Sequence, residues 1–253
     1  MTKILAWDCE TAPILGTAWR TWDARLLDVR KDWYMLCYSY KWKHEKTCHV
    51  KSLRDYPKYK SGDDNEGKLI KDLWALLNEA DVLIHHNGDK FDLKKANAKF
   101  LEYGLPPYSP VRTIDTLKQA RKHFSFTSNK LDDLGKKLGV GRKTQHAGMN
   151  LWFGCMAGDD KAWKTMVKYS KQDTILLEKV YDKLVPWMTT TNLGLHVEDS
   201  TKICPKCGHD ELTIAGKSAT NSGVYLRYRC KKCKGYSRGR NKIKNSGNPL
   251  THP

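Results

Sequence analysis

With 253 residues the chain has room for one medium domain with a buried core and a small appendage, and a polymerase or helicase domain does not fit in what remains. Its 45 Lys+Arg against 28 Asp+Glu give a net charge of +17, which calls for a polyanionic partner, most simply nucleic acid. No apolar run has the length of a membrane span, and Asp8 and Glu10 interrupt the first hydrophobic stretch short of a signal peptide. The expected setting is therefore the cytoplasm, or a host's cytoplasm for a virus-encoded chain, with no membrane association.

The first predicted element is a strand over Ile4–Cys9 that ends in the acid pair Asp8-x-Glu10. Side chains two apart on a strand share a face, so both carboxylates can reach one cation. Aromatic and β-branched residues mark two further strands, Tyr34–Trp42 and Lys46–Leu53, as an antiparallel meander, with a Trp- and Arg-bearing insertion over Ala18–Trp33. From Gly67 to Ala80, Leu69, Ile70, Leu73, Trp74, Leu76 and Leu77 recur at helical spacing and feed a short buried strand, Val82–Ile84. That strand ends at His85-His86-Asn87-Gly88, and a helix follows over Phe91–Tyr103, before Leu105-Pro106-Pro107.

Asp92 thus falls at a strand-to-helix junction on the carboxyl edge of the sheet, where ligands collect in open α/β sheets. An acid there also suits the helix dipole, and Asn87 before Gly88 also suits a turn. Val111–Ile114 reads as another strand, and Thr116–His123 and Leu131–Leu138 as helices. His85, His86, His123, Asp115, Asp132 and Asp133 read as core, surface or capping residues. The last long helix spans about Asp160–Met188, with a break before Pro186, and carries Tyr169 and Asp173 one turn apart on one face. Strands followed by alternating helix and strand make an α/β layered domain, residues 1–198, whose periodicity stops near Thr190–Ser200.

Residues 199–240 read as a zinc ribbon. Cys204-Pro-Lys-Cys207 and Cys230-Lys-Lys-Cys233 lie 22 residues apart, and four thiolates complete the closed tetrahedral shell of one structural Zn²⁺. Cys9, Cys37, Cys48 and Cys155 are scattered and read as small apolar fillers. So small a unit buries too little apolar surface to fold alone, which couples its folding to metal binding. Residues 201–253 hold twelve Lys/Arg against Asp210 and Glu211 alone. Arg227, Arg229, Lys231 and Lys232 alternate with Tyr225, Tyr228 and Tyr236, offering cations to phosphates and rings to bases, though the same charges also suit a solvated basic surface. Lys234 stands after the second pair where Gly is usual. Residues 241–253 are expected to form a disordered basic tail.

Taken in order, Asp8-Cys9-Glu10-Thr11, Asn87 through Phe91-Asp92, and Tyr169 with Asp173 resemble the three motifs of the DEDD 3′–5′ exonucleases, over roughly residues 1–188. The third motif is that of the tyrosine subclass, since Lys168 stands where the histidine subclass would place His. The resemblance implies a ribonuclease H-like mixed sheet flanked by helices and two catalytic ions, Mg²⁺ or Mn²⁺. Asp8, Glu10 and Asp173 would hold the ion that activates the attacking water. Asp8 would bridge to a second ion whose waters Asp92 orders, Tyr169 would position the water, and Asn87 and Phe91 would contact substrate. The expected activity is 3′–5′ exonucleolytic hydrolysis of DNA, at single strands or frayed 3′ ends, with the ribbon gripping nucleic acid and replication or repair proteins as partners. Two other readings use the same residues: an RNase or structure-specific endonuclease on this fold, and a non-catalytic nucleic-acid-binding adaptor.

Overall fold

The computed structural model describes residues 2–20, 22, 25–57, 59, 64–189, 192–196 and 202–245. The first strand, β1 (Ile4–Thr11), leads into a two-stranded ribbon, β2 (Leu15–Thr17) and β3 (Asp28–Lys31), of which β3 lies inside the segment expected only as an insertion and β2 just before it. β4 (Met35–Trp42) and β5 (His49–Ser52) then complete an antiparallel meander with β1. α1 (Gly67–Glu79) returns the chain to β6 (Val82–His85), and α2 (Asp92–Glu102) to β7 (Arg112–Asp115), both parallel to their neighbours. The five-stranded mixed sheet has the order β5-β4-β1-β6-β7, so the strand carrying Asp8 and Glu10 lies at its middle.

Helices cover both faces of this sheet, as a strand that is apolar on both sides requires. Along β1, Leu5, Trp7 and Cys9 belong to the core layer shared with α1 and α2. Ile4 and Ala6 belong to the opposite layer, formed with α3 (Thr116–His123), α4 (Leu131–Lys137) and α6 (Asp160–Leu184). Asp8 and Glu10 continue the second set in strand alternation and therefore face α6. A helix not apparent in the sequence, α5 (Met149–Met156), precedes α6 and packs on it. Its stretch, Met-Asn-Leu-Trp-Phe-Gly-Cys-Met, has almost no polar face to mark a helical period.

The register of α6 is set by buried polar contacts. The Ser39 hydroxyl on β4 donates to the carbonyl of Ser170 at 2.8 Å and bonds the Thr174 hydroxyl at 2.7 Å. Lys41 pairs with Glu178 at 2.5 Å, with both side chains nearly out of solvent. Because Ser39 lies opposite Asp8 in the β1–β4 ladder, this clamp brings Tyr169 and Asp173 to the acid pair. The helix ends at Leu184, and a 3-10 turn over Val185–Trp187 holds Pro186, which cannot donate to a further α-helical turn.

Beyond it, β8 (Leu212–Thr220), β9 (Gly223–Cys230) and β10 (Tyr236–Asn245) form a three-stranded antiparallel sheet in the order β10-β9-β8. β10 runs five residues past 240, where the sequence reading places a disordered tail. Pairs such as Lys242↔Tyr225 and Lys244↔Val224 show the reason: ladder hydrogen bonding extends a strand whose composition alone does not. Residues 246–253 lie outside the described residues. The unit is seated on the end of α6, where the Leu193 amide donates to the Pro205 carbonyl at 2.9 Å and the Lys206 ammonium bonds the Met188 carbonyl. Gly235 meets Pro186 so closely that a Cβ would lie 3.2 Å from its Cα. Among the described residues, no helix is long and apolar enough to cross a membrane.

Candidate active site

β1 is longer than its parallel neighbour: the β1–β6 ladder stops at Ala6↔Ile84, so Asp8 and Glu10 stand beyond the end of β6 on the carboxyl edge. There the chain turns through Asn87, whose φ of +66° is left-handed, into α2. Gly88 permits the turn to lie on His85, since a Cβ there would come within 2.2 Å of the ring nitrogen Nδ1. Asp115, the N-cap of α3, accepts from the amides of Leu117 and Lys118 and also from Asn87 at 2.9 Å. Asp115 is thus a cap, as expected from the sequence, and a tie on the Asn87 turn as well.

One oxygen from each of Asp8, Glu10 and Asp173 lies within 4.8 Å of the others. Asp92 opens α2 and is buried beside them, its Oδ1 accepting from the Cys9 amide at 3.2 Å and the Cys9 thiol at 3.3 Å. Cys9 faces away from Asp8 and Glu10 on the strand, so the residue between the two acids anchors the third carboxylate. This role is not visible in a reading of Cys9 as an apolar filler.

The carboxylates strain against one another. Loss of surrounding water, followed by the charges of Asp92, Glu10 and Asp173, pushes Asp8 well above the usual carboxylate range. Glu10 rises to about 8, first through loss of water and then through Asp173. Burial also raises Asp92 and Asp173. Asp173 is 1% exposed, and its Oδ1 has no hydrogen-bond partner. Three gathered acids with a bare buried oxygen fit hard divalent cations, which take oxygen ligands.

The sequence reading missed one residue here, Lys143. Its ammonium lies 2.5 Å from Asp173 Oδ2 and 3.2 Å from the Tyr169 hydroxyl. Burial opposes its charge, but the attraction of Asp173 and Tyr169 prevails and raises its pKa. The loop that carries it is tied down twice, by the Lys143 amide on Asp132 at 2.8 Å and by Gln172 on the Arg142 carbonyl at 2.9 Å. Nothing in Gly141–His146 signals this, because the segment has no periodicity and no motif. Tyr169 is held between His146 and Trp152, with ring centroids 4.7 and 6.0 Å away, and burial raises its pKa. It is thus a weaker acid than a free phenol, with even less phenolate available at neutral pH to take a proton.

Of the expected substrate contacts, Asn87 lines a cleft of about 710 Å³ beside the acids, with Arg121, Lys130 and Lys143 among its walls. Phe91 is 43% exposed at the start of α2. Of the basic residues of the second unit, Arg227 and Arg229 lie on β9, and Lys231 and Lys232 in the turn that follows it. The Arg227 and Arg229 guanidinium groups sit 5.4 and 5.6 Å from the Tyr236 ring, and Lys231 is 3.8 Å from Glu211. Among the described residues, no hydrogen bond or ion pair joins Arg227, Arg229, Lys231 or Lys232 to the carboxylate group. Tyr225 is buried under Arg238, so it offers no face to a base, whereas Tyr236 is half exposed.

Cys204, Cys207, Cys230 and Cys233 come together, with Sγ atoms 3.7 Å apart for Cys204–Cys233 and 3.6 Å for Cys207–Cys230. A tetrahedral shell with bonds of about 2.3 Å has edges of about 3.8 Å. The thiols therefore fit one tetrahedral ion. Gly208 after the first pair has φ +74°, and Lys234 after the second has φ +62°, so lysine occupies the left-handed position that glycine takes in the first turn.

The fold is ribonuclease H-like: a mixed sheet with helices on both faces and an acidic cluster on its carboxyl edge. A family model of the RNase H superfamily matches residues 30–185, well over half of the chain, and the chain belongs to that superfamily. The match takes in Asn87, Asp92, Tyr169 and Asp173 but begins after Asp8 and Glu10. Among solved structures, the chain is similar to a family B DNA polymerase from the hyperthermophilic archaeon Pyrobaculum calidifontis, with a TM-score of 0.55 and 16% identity. The similarity covers 74% of this chain and 25% of the polymerase, so the chain spans about a quarter of that protein's length, and the likeness is one of fold. No curated protein matches the chain.

Proposed function

We propose that the protein is a metal-dependent 3′–5′ exonuclease acting on DNA, with its second unit a zinc ribbon that grips the strand. What carries this reading is the gathering of Asp8, Glu10 and Asp173, with Asp92 alongside and Tyr169 one turn before Asp173, on the carboxyl edge of a ribonuclease H-like sheet. Superfamily membership supports nuclease chemistry in general. The DNA polymerase among the fold neighbours favours DNA over RNA.

In this reading Asp8, Glu10 and Asp173, with Asp92 alongside, would hold the divalent ions. Two such ions supply positive charge for the phosphate and the leaving 3′ oxygen and lower the pKa of the attacking water. Glu10, raised to about 8, would have to be deprotonated to serve as a ligand. Tyr169 orients the water, because a phenol with a raised pKa does not deprotonate it at neutral pH. Lys143, paired with Asp173 and lining the cleft, would lend positive charge near the scissile phosphate. Asn87 and Phe91 hold the terminal nucleotide, and Arg227, Arg229, Lys231 and Lys232 contact phosphates farther along. The fit of the four cysteines to a tetrahedral shell supports zinc in the ribbon.

The test is a single incubation of 5′-labelled single-stranded DNA, duplex DNA and RNA with Mg²⁺, Mn²⁺ or EDTA. The expected result is a ladder that shortens from the 3′ end of DNA, strongest on single strands and absent in EDTA. An internal cut would make the protein an endonuclease, and binding without cleavage would make it an adaptor.

A further inference from the structure

The cleft that adjoins the carboxylates through Lys143 and the ribbon are joined by a ridge of aromatic rings. Thr127 and Ser128 line the cleft, and Phe126 immediately precedes them. Its ring stacks on Phe124, with centroids 5.2 Å apart and planes at 26°, and Phe124 meets Trp187 edge-on at 5.5 Å. Trp187 is 60% exposed at the far end. Its neighbour Pro186 is the residue against which Gly235 of the second cysteine turn is seated. The ridge therefore begins at the ribbon and ends at the cleft.

Its flanks are cationic. Arg121 and Lys130 line the cleft, and the Lys137 ammonium lies 5.8 Å from the Phe126 ring. All three are exposed, and none has a carboxylate partner among the described residues. Nearby acids are occupied: Asp132 takes Arg142 and the Lys143 amide, and Asp133 takes the Ser128 hydroxyl. Packing accounts for the half-buried Phe124 and Phe126, which lie against the α3–α6 core, but not for an indole left mostly in water.

We propose that this ridge is the track for the unpaired nucleotides on the 5′ side of the scissile bond. The strand leaves the carboxylates through the cleft, its phosphates meet Arg121, Lys130 and Lys137, and a base stacks on Trp187 before the strand reaches the ribbon. An exposed indole and unpaired cations select single-stranded nucleic acid, because only an unpaired base can offer its face to a protruding ring. The inference rests on the nuclease reading for the direction of the strand, though not for its binding.

The test uses the full-length, zinc-loaded protein. Binding of a labelled single strand of about 20 nucleotides is followed by fluorescence anisotropy in EDTA-free buffer without added Mg²⁺ or Mn²⁺, and kcat/KM is then measured with Mg²⁺ for that strand and for a trinucleotide. One stacked base is worth about tenfold in affinity. Trp187→Ala should weaken binding of the long strand about tenfold and lower the long-to-short ratio of kcat/KM by a similar factor through KM, whereas Trp187→Phe should keep most of both. A merely structural effect would lower both substrates together. Unchanged binding and an unchanged ratio in Trp187→Ala, from a wild type that hydrolyses both substrates, would overturn the track and leave the nuclease reading intact. The tenfold binding loss with a wild type that hydrolyses nothing would support the track and overturn the nuclease reading.

Discussion

Asp8 and Glu10 stand on the central strand and Asp173 on the long helix α6, far apart in the chain, whereas the four cysteines come from two tight turns of one small sheet. The acids are held by contacts between protein side chains. Ser39 clamps α6, Cys9 anchors Asp92, and the Lys143 ammonium offsets Asp173. In the small sheet the four thiols that would hold a metal are themselves much of the interior, since two of the cysteines are fully buried and Tyr225 is the other sizeable buried side chain of that sheet. Removing metal should therefore cost activity in the first unit and structure in the second.

The sharpest way to break that comparison is Asp173→Ala. We expect hydrolysis to fall by roughly 10³ or more, since losing a ligand oxygen is at least as severe as losing one donor to a transition state. The unfolding midpoint should stay close to wild type. A coincident loss of structure would mean that the acids are part of the fold.

Next in size is removal of zinc by a strong chelator or by Cys230→Ser. All nine tryptophans precede residue 199, so with Trp187, the indole beside the ribbon's seat, changed to Phe, the remaining fluorescence reports on residues 1–198. The ribbon should unfold, and binding of a single strand should weaken by about one to two orders of magnitude as its cations disperse. The tryptophan-monitored transition should stay in place, and a parallel shift would show the two units to be one cooperative body.

Tyr169→Phe preserves the ring between His146 and Trp152 and removes the hydroxyl. A positioning role predicts a fall in kcat of roughly tenfold to a hundredfold with little change in KM. The metal-free protein should also respond to pH in a defined direction. Glu10 keeps its proton up to about 8 in the folded chain, against about 4.5 when unfolded, so its contribution to stability is full below about 4.5 and is lost as pH rises to 8. Denaturant titrations in EDTA should show Glu10→Gln gaining on wild type across that window, and saturating Mn²⁺ should remove the advantage. The smallest effect is expected at Lys234, where glycine relieves a left-handed lysine. Lys234→Gly should stabilise the zinc-loaded ribbon by about 1 kcal/mol, measured by chelator-induced unfolding.

Much of the fold is legible in the residues because local periods are strong. Thr116–His123 is helical over the span its pattern predicts, and Gly67–Glu79 departs from expectation by one residue. The elements that escaped notice lack such a period. The β2–β3 ribbon lies in mixed Trp and Arg sequence, α5 is apolar nearly all round, and β10 continues through polar residues because β9 supplies its ladder. At the candidate site, Asp8, Glu10, Asp92, Tyr169 and Asp173 stand out by type and order. Lys143 does not, since its position depends on contacts that Asp132 and Gln172 make with its loop.

The residues alone determine which side chains can act: a pair of acids alternating on one strand face, a phenol and a carboxylate one turn apart, and two Cys-x-x-Cys turns. These are consequences of backbone geometry at short range. Only tertiary structure decides that α6 lies across β1 with Asp173 against Glu10, that Cys9 holds Asp92, and that a lysine from an irregular loop supplies the opposing charge. It also decides that the ribbon sits on Pro186, beside an exposed tryptophan. Such neighbours are chosen by packing and charge between distant segments, and no spacing in the chain records them.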